Sequence, residues 1–313
     1  MASITQAPAP GDHGGDAARI AVALGLDPAT MIDLSASMNP FAPDVRELAV
    51  RELMVAASGS LARYPDPRAA TAALAQTIAV DPDLLVLTNG GAEAIALVAG
   101  EVQAGNIVEP EFSLYRRHLA RIDDSAPRWR SNPSNPLGQL AEPDETAGVW
   151  DEAFYPLATG EWTRGDDESW RLGSLTKIWN CAGLRLGYVI APDPGAAARI
   201  RSRQPQWAVN GLALSLLPEL LTRTDLPGWH ARMGVLRSRF AAELTALGYA
   251  ARPTSANWLL IDHPDLRQRL ASHGVVVRDC ASFGLSGTHR VAVPHPAQLD
   301  GVLDAFARIG AAR

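Results

Sequence analysis

The chain is predicted to be an α/β protein: a mainly parallel sheet with helices, followed by a smaller α+β domain. Through the first two thirds, short apolar runs of strand length alternate with segments of helical periodicity, the pattern of βαβ units. Behind them comes a long helix, then short strands interleaved with helices. The length of 313 residues accommodates one large and one smaller domain, and 47% hydrophobic residues supply both cores. Residues 1–35 are read as an N-terminal arm with a segment of the small domain, 36–203 as the large domain and 204–313 as the small domain.

Residues 1–12, rich in Ala and Pro, are expected to be disordered. A helix is predicted from Asp16 to Leu24, then an extended Ile32-Asp33-Leu34. Asp44 to Ala57 and Ala69 to Ile78 read as helices, with Tyr64-Pro65-Asp66-Pro67 as the turn before the second. Leu84 to Leu87 is a strand ending at Thr88-Asn89-Gly90-Gly91, and a helix resumes over Ala92 to Ala99. Strand, glycine turn and helix together aim backbone N–H groups at an anion such as phosphate. Asn106 to Val108, Gly148 to Trp150 and Leu184 to Ala191 are further strands, and Gly195 to Arg203 is a helix. The final third reads as a helix around Arg232 to Leu247, a strand at Trp258 to Ile261 and a helix near Leu266 to Ser272. Strands at Val275 to Arg278 and Arg290 to Val293 and a closing helix from Ala297 to Ile309 complete it.

Charge and cysteine content narrow the function. A formal charge of −6 gives no basic field for nucleic acid or an anionic membrane. Two cysteines, Cys181 and Cys280, form neither a disulfide framework nor a zinc motif. No apolar run reaches the length of a membrane span, and the first ten residues lack the features of a secretory signal. A cytoplasmic location is expected.

Lys177 is the only lysine; the other 27 basic side chains are arginine. A guanidinium does not lose its proton, so it cannot attack a carbonyl, whereas a desolvated lysine amine can. Around it stand Gly173-Ser174-Leu175-Thr176-Lys177 and Gly183-Leu184-Arg185-Leu186-Gly187-Tyr188. This pattern resembles the fold-type I enzymes that use pyridoxal 5'-phosphate (PLP), the aspartate aminotransferase superfamily. The resemblance implies that Lys177 forms the Schiff base with PLP and that Ser174 and Arg185 bind its phosphate. It extends over nearly the whole chain, with further motifs in the family's order. Asn89 to Glu93 resembles the phosphate-cradling turn, with donors from Ala92 and Glu93. Pro110-Glu111-Phe112 resembles the segment whose aromatic residue, here Phe112, stacks on the ring. Asn132 to Gly138 resembles the segment in which Asn135 bonds the phenolic oxygen. Asp151 would pair with the pyridine nitrogen and keep it protonated.

Other segments are similar to one branch, that of threonine-phosphate decarboxylase and histidinol-phosphate aminotransferase. They are His13-Gly14-Gly15-Asp16, Asp33 to Pro40, Arg63 to Pro67 and Pro205 to Asn210, with Arg278-Asp279-Cys280 and Arg290 to Val293. The likeness implies a homodimer in which Tyr64 reaches the cofactor phosphate of the neighbouring subunit. It also implies that His13, Asn39, Arg278 and Arg290 hold a small anionic amino-acid substrate. Decarboxylation of L-threonine O-3-phosphate to aminopropanol phosphate, in cobalamin biosynthesis, is the expected activity. A histidinol-phosphate type of transamination is the alternative, and a non-catalytic relative of the fold is a third reading. No metal site is expected.

The chain also departs from the pattern. Nineteen residues separate Phe112 from Asn132 and twelve separate Gly138 from Asp151, and the second interval, Gln139 to Trp150, could hold the strand before Asp151 but no full helix. A trimmed large domain follows. Phe154 stands where the aminotransferase has a tyrosine, and Pro294 where an arginine is common.

Overall fold

A computed structural model describes residues 6–55 and 59–310. In chain order, α1 (Ala17–Leu24) and β1 (Ile32–Asp33) precede α2 (Val45–Met54), α3 (Arg68–Ile78), β2 (Leu85–Asn89), α4 (Gly90–Val102) and β3 (Ala104–Ile107). Next come α5 (Leu114–His118), β4 (Arg121–Ile122), β5 (Arg128–Ser131), β6 (Val149–Asp151), α6 (Tyr155–Thr159), β7 (Trp170–Gly173) and α7 (Leu175–Ile178). Then follow β8 (Leu186–Ile190), α8 (Pro194–Arg203), α9 (Gly211–Thr222), α10 (Leu226–Ala246), β9 (Ala251–Pro253) and β10 (Trp258–Asp262). The chain closes with α11 (Leu266–Ala271), β11 (Val275–Val276), β12 (Arg278–Asp279), β13 (Thr288–Ala292) and α12 (Leu299–Ile309). Ala56 and Ala57, the end of the second predicted helix, lie outside the described residues.

The chain forms two compact units. One comprises residues 41–135 and 140–230; the other comprises residues 1–40, 136–139 and 231–313. The expected boundary at 203 falls before α9, which packs on α2 and α3 of the first unit. Its Leu214, Leu217 and Leu220 join Leu48 and Leu74 in one core, which burial of apolar surface keeps together.

In the first unit the sheet order is β2-β8-β7-β6-β5-β3-β4. β3 to β7 run parallel, and β8 is antiparallel to both β2 and β7. The trimming is local. β4 ends beside Gly105 and β5 begins beside Asn106, so the chain keeps moving forward along β3. No return crossover is needed, and residues 123–127 suffice where a parallel connection ordinarily takes a dozen or more. The β5–β6 connection, 132–148, contains no helix.

One sheet face packs Trp129, Val149 and Trp170 against α4, α5 and α8. The opposite face aligns Arg130, Trp150 and Arg171 across β5, β6 and β7. Loops bind that row through charge. Glu145 accepts from Arg130 Nε at 2.9 Å and pairs with Arg128 at 2.6 Å. The Arg164 guanidinium lies 4.1 Å from the Trp150 ring centroid, and Trp150 Nε1 donates to Asp166 at 2.7 Å. Arg171, 2% exposed, pairs with Asp167. Cation–π contacts and ion pairs thus cover this row, where the β5–β6 link has no helix and the β6–β7 link has only the short α6.

The second unit holds an antiparallel sheet, β12-β13-β10-β9, and a parallel pair, β1-β11. Phe240, Tyr249 and Phe306 stack edge to face in its core, and Tyr249 Oη donates to the Phe306 carbonyl. The disorder expected for residues 1–12 is corrected for the described part of this segment. Ala7 is buried, and the Ala7 and Pro8 carbonyls accept from Gln268 and Arg267. Arg267 also pairs with Asp16, so α11 anchors the arm.

At Gly187 of β8 three backbone segments meet. A Cβ there would lie 2.7 Å from Gly90 C, 2.8 Å from Gly91 N and 2.9 Å from Gly173 O, all backbone atoms. Gly187→Ala is expected to cost about 1–3 kcal/mol of stability, as overpacking does. Denaturant unfolding measures this; an unchanged midpoint would contradict it.

Candidate active site

The candidate cofactor residues all belong to the first unit, and three chain turns build the centre of their arrangement. The first joins β2 to α4. Gly90 takes a left-handed φ of 77°, where a Cβ would meet Arg185 Nη2 at 2.5 Å. Asn89 at the N-cap makes no side-chain cap, so the amides of the first turn, Ala92 among them, are not spent on it. Glu93 reaches back instead, accepting from the Asn89 N–H at 2.6 Å. A helix N-terminus of this kind attracts an anion.

The second turn joins β7 to α7. Ser174 caps α7 without a side-chain cap bond; its hydroxyl is hydrogen-bonded to Thr176 Oγ1 at 2.8 Å. The hydroxyl stands 3.8 Å from where a Gly91 Cβ would be. The third turn enters β8 through Arg185, itself left-handed at φ 55°. Amides, a hydroxyl and a guanidinium therefore converge on the start of α4, a donor set that fits a phosphate monoester. Gly90 keeps a Cβ from colliding with the Arg185 guanidinium, and Gly91 leaves none beside the Ser174 hydroxyl, as the same group requires.

Lys177 follows one turn after Ser174. Its Nζ lies 5.6 Å from the Phe154 ring centroid. The lysine charge also acts on Asp151, lowering its pKa. Burial pushes Asp151 the other way and outweighs this charge together with hydrogen bonds from Tyr115 Oη at 2.7 Å and the Ala153 N–H at 3.0 Å. Such a carboxylate, half-buried and already oriented, suits a cationic ring nitrogen, whose charge would draw its pKa down. Asn135 is buried, and its backbone N–H donates to Ser131 Oγ at 2.8 Å. Phe112 packs edge-on against Tyr115 at 6.0 Å. Tyr64 is 78% exposed and stacks on Trp207 at 4.4 Å.

The four candidate substrate residues lie in the second unit. Two motifs read separately in the sequence touch there. Gly15 N donates to Ser35 Oγ, and a Cβ on Gly14 would stand 2.5 Å from the Ser35 carbonyl. His13 is exposed on this arm. Arg278 donates to the Gly11 and Asp12 carbonyls and to Ser282 Oγ. Arg290 donates to the Ser35 carbonyl at 3.1 Å and lies 4.9 Å from the Trp258 ring centroid. Burial draws Arg290 down to about 10, still cationic at neutral pH. Asn39 is fully buried, and Asn257 holds the segment before it through the Ser37 and Met38 carbonyls. Among the described residues, no cluster of His, Cys, Asp and Glu could hold a metal ion, and no helix is long and apolar enough to cross a membrane.

Sequence reasoning missed Tyr115, Ser131 and Thr176. Tyr115 lies three residues after Phe112, which precedes α5, and the two rings meet edge-on.

Comparison with known proteins agrees with this architecture. The family model for aminotransferase class I and II matches residues 129–306. The chain belongs to that family, whose members are PLP-dependent enzymes. Threonine-phosphate decarboxylase of Salmonella typhimurium is 29% identical, over 95% of this chain and 96% of that one. Histidinol-phosphate aminotransferase 2 of Pseudomonas aeruginosa is 28% identical over 91% of each. The alignment to the decarboxylase spans 354 positions, although this chain has 313 residues, in keeping with the trimmed connections. Among solved structures, L-threonine-O-3-phosphate decarboxylase of Porphyromonas gingivalis superposes with a TM-score of 0.74 at 22% identity, covering 88% of this chain and 98% of that one. Histidinol-phosphate aminotransferase of Sinorhizobium meliloti, in complex with pyridoxal-5'-phosphate, gives 0.73 at 18% identity, covering 88% and 89%.

Arg185→Ala is expected to weaken PLP binding by roughly 10- to 100-fold, the worth of a hydrogen bond to a charged group. Absorbance titration of the cofactor-free protein checks this; unchanged affinity would place the phosphate elsewhere.

Proposed function

We propose that the protein is a PLP-dependent decarboxylase of L-threonine O-3-phosphate, yielding aminopropanol phosphate for cobalamin assembly. When bound, PLP supplies an electron sink for the pair released at the substrate α-carbon. In this reading the α4 N-terminus, Ser174 and Arg185 hold the phosphate, Phe112 stacks on the ring and Asn135 bonds the phenolic oxygen. Asp151 holds a proton at the ring nitrogen. Lys177 is the one side-chain amine able to engage the aldehyde and to move a proton at Nζ. Tyr64, exposed beside Trp207, reaches the neighbouring subunit's cofactor phosphate in a homodimer.

Bond choice lies with the residues that orient the substrate. The bond held perpendicular to the ring breaks, so an enzyme that turns the carboxylate to that position releases CO2. His13, Asn39, Arg278 and Arg290 carry that task here. The observation that supports the decarboxylase most is the packing of the His13-Gly14-Gly15 arm on Ser35, with Arg278 and Arg290 bound to the same two segments. Both motifs resemble that enzyme more than the aminotransferase. An adenosylcobalamin biosynthesis bifunctional protein of Leptospira interrogans, 24% identical over 95% of this chain and 41% of that one, supports the pathway. Transamination of the histidinol-phosphate type is the second reading, favoured by the Pseudomonas relative.

Purified protein with PLP and phosphothreonine, and no keto acid, is expected to release CO2. Substrate-dependent loss of 2-oxoglutarate without CO2 would favour the aminotransferase. Turnover of neither substrate would favour the non-catalytic reading. Asp151→Ala is expected to keep the fold and lower kcat by at least about 100-fold, because an unprotonated ring nitrogen is a poor electron sink. Wild-type kcat in that variant would show that the nitrogen has another partner.

A further inference from the structure

Glu111 is a carboxyl that the proposed chemistry does not use, yet it is 5% exposed and lies beside the site. Its two oxygens face one residue. Glu111 Oε1 accepts from the Ser131 N–H at 3.0 Å, and Oε2 shares a short hydrogen bond with Ser131 Oγ. Ser131 Oγ also accepts from the Asn135 N–H at 2.8 Å and interacts with the Tyr115 hydroxyl. Tyr115 Oη in turn is bonded to Asp151 Oδ2 at 2.7 Å.

A serine hydroxyl has one proton and two lone pairs. Both Glu111 and Tyr115 therefore compete for the Ser131 proton unless Glu111 brings its own. With Glu111 protonated, every group is satisfied in one direction: Glu111 donates to Ser131, Ser131 to Tyr115 and Tyr115 to the Asp151 carboxylate. With Glu111 ionised, Ser131 must turn its proton to Glu111, and Tyr115 loses a donor. We propose that Glu111 is a positioning residue: its carboxyl proton begins a directed hydrogen-bond chain through Ser131 and Tyr115 that fixes Asp151, while Ser131 fixes the Asn135 backbone. The segment carrying Glu111, Phe112 and Tyr115 thereby supports the ring stack and both polar partners of the cofactor ring.

Burial, rather than the surrounding charges, favours this protonation. Burial raises its pKa to about 8 and the Asp151 carboxylate adds to that; Arg130 and the bonds from Ser131 oppose it. Glu109, which accepts from the Glu111 N–H at 2.7 Å, is engaged with Arg116. The folded value lies above the ordinary 4.5, so the folded protein binds a proton that the unfolded chain has lost. Stability linked to Glu111 is therefore full below pH about 4.5 and falls as pH rises toward about 8, then levels off.

The inference rests on the assignment of Asp151 and Asn135 to the cofactor, and Glu111→Gln tests it. A glutamine amide donates to Ser131 Oγ and accepts from the Ser131 N–H at every pH, as the protonated acid does. PLP affinity is titrated by absorbance for wild type and E111Q from pH 6.5 to 9.5, so that titrations common to both cancel in the ratio. Wild-type affinity is expected to fall relative to E111Q by roughly tenfold across that range, one charge-assisted hydrogen bond's worth. In thermal unfolding without added cofactor, wild type is expected to lose Tm relative to E111Q between pH 5 and 9. A constant affinity ratio overturns the proposal whatever the melting curves show, and a constant Tm difference removes its proton. Failure of both proteins to take up PLP at any pH overturns the proposed function and the link to Asp151 with it.

Discussion

The site depends on the close approach of three backbones. Gly187 lets β8 touch the first turn of α4 and the end of β7 at distances no side chain would allow. That contact brings the α4 amides, Ser174 and Arg185 together, although they come from chain segments some 80 to 95 residues apart. β8 is the one antiparallel strand among its neighbours, so its start, rather than its end, meets the C-terminal edges of β2 and β7. The arginine entering β8 therefore reaches the same place as the turns leaving the other two. Lys177, one turn beyond Ser174, inherits its position from this junction.

The trimmed connections leave that junction intact because they lie toward the other edge of the sheet. All seven strands remain; what is reduced is β4, to two residues, and the helical cover of the β5–β6 link. The row Arg130, Trp150 and Arg171 on one sheet face is sealed by loop carboxylates and by Arg164. Salt bridges near solvent contribute modestly each. Arg130 and Arg171, however, are nearly buried, and removing a partner there leaves a charge without compensation. A seal of this kind also accounts for the arginine-rich sequence of β5, Arg128-Trp129-Arg130.

That sequence shows where reading from residues alone stops. β5 and β7 carry charged side chains on one face and escape a search for apolar runs, whereas β2 and β8, apolar on both faces, are plain. The cofactor motifs are legible because each needs particular residue types at short spacings, as Ser174, Lys177 and Arg185 do. Contacts between distant segments are not. Nothing in the sequence brings Tyr115 to Asp151, or marks Glu111 as a buried acid rather than a surface one, until parallel pairing sets Ser131 beside Asp151. The order of residues 7–12 was hidden for a related reason: their composition is that of a loose end, and their anchors, Arg267, Gln268 and Arg278, lie some 260 residues later.

If the junction holds the cofactor as proposed, it delivers the aldehyde to one amine, Lys177 Nζ. Borohydride treatment of the PLP-loaded protein, followed by tryptic peptide mapping, tests it most directly, since Lys177 is the only lysine. A single labelled peptide, Leu172 to Arg185, is expected, with PLP attached at Lys177. Label confined to the N-terminal amine, or none at all, would contradict it.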